Sequence, residues 1–143
     1  MVKNNFYLIS LAVVILDQIL KRLAETYLTL NQTLLIFKNF FHLTLVHNQG
    51  AAFGIFQGFT GVFVWIGIVI LGFILFYWDE IKTNSEKVII ALIAGGIIGN
   101  LLDRIILGYT IDFLNFLIWP VFNLADACMT VGVIGLIYLM WKK

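Results

Sequence analysis

"VIIALIAGGIIGNLLDRIIL", Val88–Leu107, is an apolar run interrupted only by Asn100, Asp103 and Arg104. About 20 apolar residues in a helix match the hydrocarbon thickness of a bilayer. The same run could also be the core helix of a soluble domain, and the rest of the chain decides between the two. Of its 143 residues, 62% are hydrophobic and 12% charged, with a mean hydropathy of +1.00; soluble domains carry roughly 25% charged residues. A single domain of this length has too little interior to enclose that much apolar surface. Three further runs resemble the first: Phe6 to about Arg22, Phe59 to Trp78, and about Leu124 to Trp141. The expected fold is therefore an all-α membrane protein with four transmembrane helices in one domain, residues 1–143. The Phe6 run has no small-residue cleavage site behind it, so it is expected to be a span and not a removable signal peptide.

Several chemistries lack their parts. A net charge of +1 offers no basic surface to nucleic acid. The single cysteine, Cys128, lies in an apolar run, so neither an intrachain disulfide nor a cysteine metal site is expected. His42 and His47 have no second histidine or cysteine at ligand spacing, and no metal or other cofactor is expected. Ser10 and Ser85 are the only serines, and Ser85 falls on the opposite side from the histidines.

Orientation follows the basic residues. Four spans put Lys3, Lys82, Lys87, Lys142 and Lys143 on one side, and Lys21, Arg22 and Lys38 on the other with Arg104 close by. The bias predicts that both termini are cytoplasmic. The outer connection, about residues 23–58, is too long for a simple loop. "TLLIF" (Thr33–Phe37) and "FFHLTLV" (Phe40–Val46) read as two strands joined by a turn at Lys38-Asn39. They predict a small antiparallel sheet between the first two helices, lying on the outer membrane surface, with Phe41, Leu43 and Leu45 on one face and His42 and Thr44 toward water. The Gly-rich stretch Asn48–Gly61 leads into the second span.

The acids divide by side. Asp79, Glu80 and Glu86 fall in the cytoplasmic connection, whereas Asp17, Asp103, Asp112 and Asp126 all fall at the outer level. Ionisable residues in spans usually face a bundle interior and serve function. Structural readings stand beside the functional ones. Asp126 follows Asn123 by three residues, which also fits a capped helix start. Asp103 beside Arg104, one turn after Asn100, fits an ion-pair and hydrogen-bond network. Asp17 and Lys21, at i and i+4, fit a structural pair. Asp112 lies among Ile111, Phe113 and Leu114 with no local partner, which makes it the strongest functional candidate. Two carboxylates brought close share one proton, so that one removes a proton from water while the other polarises a carbonyl. Gly108 can end the third span and Pro120 can turn the chain back, which would bring Asp112 near Asp126.

Four blocks, "LDQILK" (Leu16–Lys21), "HNQGAAFG" (His47–Gly54), "GGIIGNLLDRIILGYTIDF" (Gly95–Phe113) and "FNLADA" (Phe122–Ala127), together resemble bacterial lipoprotein signal peptidase (signal peptidase II) in order, spacing and overall length. The resemblance implies a membrane aspartic endopeptidase of the bacterial plasma membrane, with its active site on the extracytoplasmic side. Its substrates would be prolipoproteins, cleaved on the amino side of a diacylglyceryl-modified cysteine, with membrane lipid as the surrounding partner. Asp112 and Asp126 would be the catalytic pair. Asn48, Gly50, Asn100, Arg104 and Asn123 would line the site and orient substrate, with Asp17 and Lys21 supporting and Asp103 structural. Two positions depart from the family pattern: Ala127 stands where serine is commoner, and "YTIDF" replaces a doubled valine.

Overall fold

The computed structural model describes residues 2–50 and 56–142. Among these are four long helices, α1 (Val2–Tyr27), α2 (Thr60–Phe76), α3 (Asn84–Ile106) and α4 (Leu124–Trp141), and three strands, β1 (Thr33–Phe37), β2 (Phe41–Asn48) and β3 (Thr110–Asn115). Each expected span is a helix. α1 runs on past Arg22 to Tyr27, and α3 starts one turn earlier than the apolar run because Thr83 and Glu86 close a reciprocal cap. α3 ends before Gly108, whose φ of +82° suits the left-handed turn that stops it.

The helices pack around α3, which touches α1, α2 and α4. Small residues allow the close approach. A Cβ on Gly96 would lie 2.5 Å from the Ala125 carbonyl oxygen on α4, and one on Gly99 would lie 2.7 Å from Asp17 Oδ2 on α1. Such contacts are typical of helices that meet without a hydrophobic drive to push them together. α3 and α4 are each long and apolar enough to cross a membrane. α2 is apolar but 17 residues long, and the 26-residue α1 carries Asp17 and Lys21, both buried.

The sheet corrects the sequence reading in two ways. First, it has three antiparallel strands in the order β1-β2-β3, and the third comes from between α3 and α4. β3 pairs with β2 so that Asp112 lies opposite Val46 and Thr110 opposite Asn48. Second, the expected alternation in β2 fails. The register shifts between Leu43 and Val46, and His42 is buried instead of facing water. An irregularity of this kind re-aims the side chains on either side of it. The expected turn at Lys38-Asn39 is present, with Asn39 at φ 61°. Ala24 and Leu28 from the end of α1 pack with Leu45, Ile111 and Phe113, which fastens the sheet to one end of the bundle.

Candidate active site

Asp112 sits in the middle of β3 and Asp126 in the first turn of α4. Both line one cavity of about 350 Å³. The walls come from α2 (Phe63, Ile66, Ile70), α3 (Ile97, Leu101) and α4 (Met129), so the two carboxylates are the acids at the polar end of an otherwise apolar groove.

Neutral amides hold these carboxylates. Asn48 Nδ2 donates to Asp112 Oδ2 at 2.9 Å, and Asn123 Nδ2 donates to Asp112 Oδ1 at 2.7 Å. Asn100 Nδ2 donates to Asp126 Oδ1 at 2.7 Å, and the backbone N–H of Asn123 donates to Asp126 Oδ2 at 3.3 Å. Each amide is turned the right way by a separate contact. Asn48 Oδ1 accepts from Gly50 N at 2.9 Å, and Asn123 Oδ1 accepts from Asp126 N at 2.9 Å as the helix cap. Asn100 Oδ1 accepts from Lys21 Nζ at 2.9 Å and from Asn123 Nδ2 at 3.0 Å. With the carbonyls committed, all three NH₂ groups must point at the carboxylates.

Lys21 anchors this arrangement. It is 1% exposed, ion-pairs with Asp17 Oδ2 at 2.7 Å and Asp103 Oδ2 at 2.8 Å, and donates to Asn100 Oδ1. Asp17 Oδ1 in turn accepts from Ala125 N in the first turn of α4. Burial pushes the Asp112 carboxyl up from its ordinary 3.8 to about 7, and the nearby Asp126 charge adds to the rise. Hydrogen bonds from Asn48 and Asn123 and the charge of Lys21 oppose it. The Asp112 titration is thereby moved out of the ordinary carboxylate range toward neutral pH.

Asp17, Lys21, Asn48, Gly50, Asn100, Arg104, Asp112, Asn123 and Asp126 all lie in or directly behind this cluster. Asp126 makes the expected reciprocal cap with Asn123 and also lines the cavity. Asp103 is placed differently than expected. Its ion-pair partner is Lys21 and not Arg104, and it also accepts from Gln18 Nε2 at 2.8 Å and from the backbone N–H of Ile111 at 3.2 Å, next to Asp112. Arg104 instead reaches the Gly50 carbonyl at 3.3 Å and covers the Phe63 ring at 5.2 Å. Gln18, Thr110 and Phe63 were missed. For Gln18 a signal existed, since it lies three residues before Lys21 and so shares a face of α1 with it. Within the block "HNQGAAFG" (His47–Gly54), the residues from 51 on lie outside those described. Among the described residues no group of three His, Cys, Asp or Glu is placed to hold a metal ion.

The family model described as Signal peptidase (SPase) II matches residues 9–142. The chain belongs to the signal peptidase II family. A lipoprotein signal peptidase from Halothermothrix orenii is 42% identical over 138 residues, covering 96% of this chain and 95% of the relative. One from Caldanaerobacter subterraneus subsp. tengcongensis is 47% identical over 134 residues, 92% of each. Two solved structures of bacterial membrane enzymes superpose on the fold. One has a TM-score of 0.91 at 32% identity, covering 97% of this chain and 88% of the other. The second has a TM-score of 0.88 at 31% identity, covering 98% and 94%. Signal peptidase II membership makes the protein a membrane-located peptidase of bacterial type that processes lipoprotein precursors.

Proposed function

We propose that this signal peptidase II is an aspartic endopeptidase in which Asp112 and Asp126 together activate water. The observation that carries the reading is the placement of both carboxylates on one cavity, each bound by neutral donors and neither, among the described residues, paired with a cation in direct contact. One shared proton gives the pair two roles. The ionised member takes a proton from water as its oxygen attacks the scissile carbonyl carbon, and the protonated member gives its proton to the carbonyl oxygen. The tetrahedral diol then collapses: one diol hydroxyl returns its proton to the ionised carboxylate as the C=O re-forms, the C–N bond breaks, the leaving nitrogen takes the proton of the other carboxyl, and the pair again holds one proton. Asn48, Asn100 and Asn123 keep the acids oriented, and Arg104 with Gly50 borders the path of the peptide.

The substrate is a prolipoprotein cut on the amino side of a diacylglyceryl-modified cysteine. An apolar groove ending at two acids suits a peptide tethered in the bilayer by its acyl chains, since each buried CH₂ contributes about 0.8 kcal/mol. The chain is one integral membrane unit with four spans, both termini in the cytoplasm and the acids on the outer side. The burial of Asp17 and Lys21 against α3 supports counting α1 as a span, because every exposed residue from Tyr7 to Leu20 is apolar. Purified enzyme in detergent, given diacylglyceryl and unmodified precursors at equal concentration, tests the reading. The lipidated precursor should be cleaved far faster. Equal rates would mean the lipid is not recognised, and full activity in Asp112→Asn would remove the mechanism.

A further inference from the structure

In the β2–β3 ladder His47 lies opposite Ile111 and Asn48 opposite Thr110. Neighbours along a strand point to opposite faces of the sheet. Ile111 belongs to the cluster that packs Leu45 and Phe113 on Ala24 and Leu28 of α1, which puts His47 on the α1 side. Asn48 takes the other side, where its Nδ2 donates to Asp112 Oδ2 at 2.9 Å. The His47 ring stacks on Tyr109, with centroids 4.0 Å apart and planes at 17°. Its Nε2 is buried, has no hydrogen-bond partner among the described residues, and lies 3.7 Å from Glu25 Oε1. The other Glu25 oxygen is held by Arg22 Nη1 at 2.8 Å. Lys21, one turn before Glu25, is committed to Asp17, Asp103 and Asn100. The groups gathered around the ring are thus Glu25 and Arg22 from α1 and Tyr109 from the approach to β3.

We propose that His47 is a positioning residue for cleavage: its protonated ring closes onto Glu25, fastens the end of β2 to α1, and so holds Asn48 on Asp112. The inference rests on the carboxylate mechanism given above and adds a second proton to it. At 3.7 Å the neutral ring makes no hydrogen bond to Glu25. A proton on the ring turns the same approach into a charge-assisted bond, which is shorter and stronger. An imidazole changes charge between about pH 5 and 8. Above that range the end of β2 is held by the ladder and the Tyr109 stack alone. Asn48 depends on that end, because its other contacts lie within the same ladder and turn. Its Oδ1 accepts from Gly50 N, and its backbone oxygen accepts from Thr110 Oγ1 at 3.3 Å. Arg22 opposes a charge on His47, but it sits on the far Glu25 oxygen with its side chain 60% exposed, where solvent screens it.

The test compares full-length wild type, His47→Arg and His47→Gln, purified in detergent, at about pH 6 and about pH 8. Arginine keeps a planar cation at either pH and can stack on Tyr109, whereas glutamine is never charged. Dividing each kcat by that of His47→Gln cancels the titration of the two acids. The wild-type ratio should be roughly three- to fivefold at the lower pH and approach one at the higher. The His47→Arg ratio should stay high at both. A wild-type ratio that does not change with pH, or an arginine variant no faster than the glutamine one, overturns the proposal. In a Glu25→Gln background all three should turn over alike, and a surviving difference overturns the pairing with Glu25. Glu25→Gln alone should reproduce the loss seen in His47→Gln, and it carries the test if the strand rejects substitution. Infrared difference spectroscopy needs no substrate and stands apart from any failure of the peptidase mechanism. At about pH 6 the Asp112 carboxyl band should shift in His47→Gln, as Asn48 lets go, and hold its place in His47→Arg. An unmoved band in His47→Gln overturns the link to Asn48, whether or not Asp112 proves catalytic.

Discussion

Asp112 and Asp126 each accept on both oxygens from donors whose direction is fixed elsewhere. An asparagine at either position must turn its own NH₂ toward one of those donors. Asp112→Asn and Asp126→Asn should therefore lower cleavage by at least ~100-fold, as loss of a general acid or base does, and also lower the melting temperature by a few degrees. Residual turnover of purified variants and thermal melts in detergent check the two effects separately. The pH dependence follows from Asp112. Its folded pKa of about 7 lies above the ordinary 3.8, so the folded state holds this proton more tightly than the unfolded one. Its contribution to stability is complete below about pH 4 and is lost as pH rises through 7. The alkaline limb of kcat/KM should likewise fall near pH 7, where the shared proton leaves. In Asp126→Asn the Asp112 titration, followed by infrared difference spectroscopy, should move to lower pH because a like charge has gone. Much of this cluster was legible in the sequence, because acids among aromatic and branched residues have few innocent uses. The partner of Asp103 was not, since the helix it faces supplies Lys21 from 82 residues away, beyond what local spacing can report.

The helices were readable because hydrophobic length is a local property, and the caps at Thr83 and Asn123 sit in plain sequence patterns. β3 was not readable. Thr110, Ile111, Asp112 and Phe113 are all buried, so the strand has no alternation to betray it, and its pairing partner lies on the far side of two helices in the chain. The close seam between α3 and its neighbours yields a contrast between glycines. Gly96→Ala places a methyl group 2.5 Å from a backbone oxygen and should sharply reduce folded yield and melting temperature. Gly72→Ala on α2, where a methyl group meets nothing within 4 Å, should be neutral or slightly stabilising. Comparing the two melts in one detergent tests whether the seam, and not helix propensity, sets the stability of the bundle.

For the molecule as a whole, the proposed topology separates Lys82 from Gln32 by the bilayer. Cysteines at these exposed positions should label from opposite sides of sealed vesicles with an impermeant reagent. Labelling of both from one side removes the four-span arrangement. The carboxylate mechanism also needs no Lewis acid, so dialysis against a chelator should leave turnover unchanged, and a loss reversed by added zinc would overturn it. At this scale the number of helices was legible from hydrophobic length alone. The sequence hid the fact that the outer sheet is stitched from two distant segments, and that stitching is what brings Asp112 to Asp126.

α2 packs on α3, and the cavity lies between it and α4. Ile66 and Ile70, in the cavity wall, also reach the outer surface of the bundle. A precursor held in the same bilayer can therefore arrive sideways, without leaving the lipid. Encounter is then a two-dimensional search, and the quantity that governs saturation is the mole fraction of substrate among amphiphiles, not its molarity in water. Adding empty micelles at fixed enzyme and substrate should slow subsaturating turnover in proportion to the added detergent, while enlarging the water volume should leave it nearly unchanged.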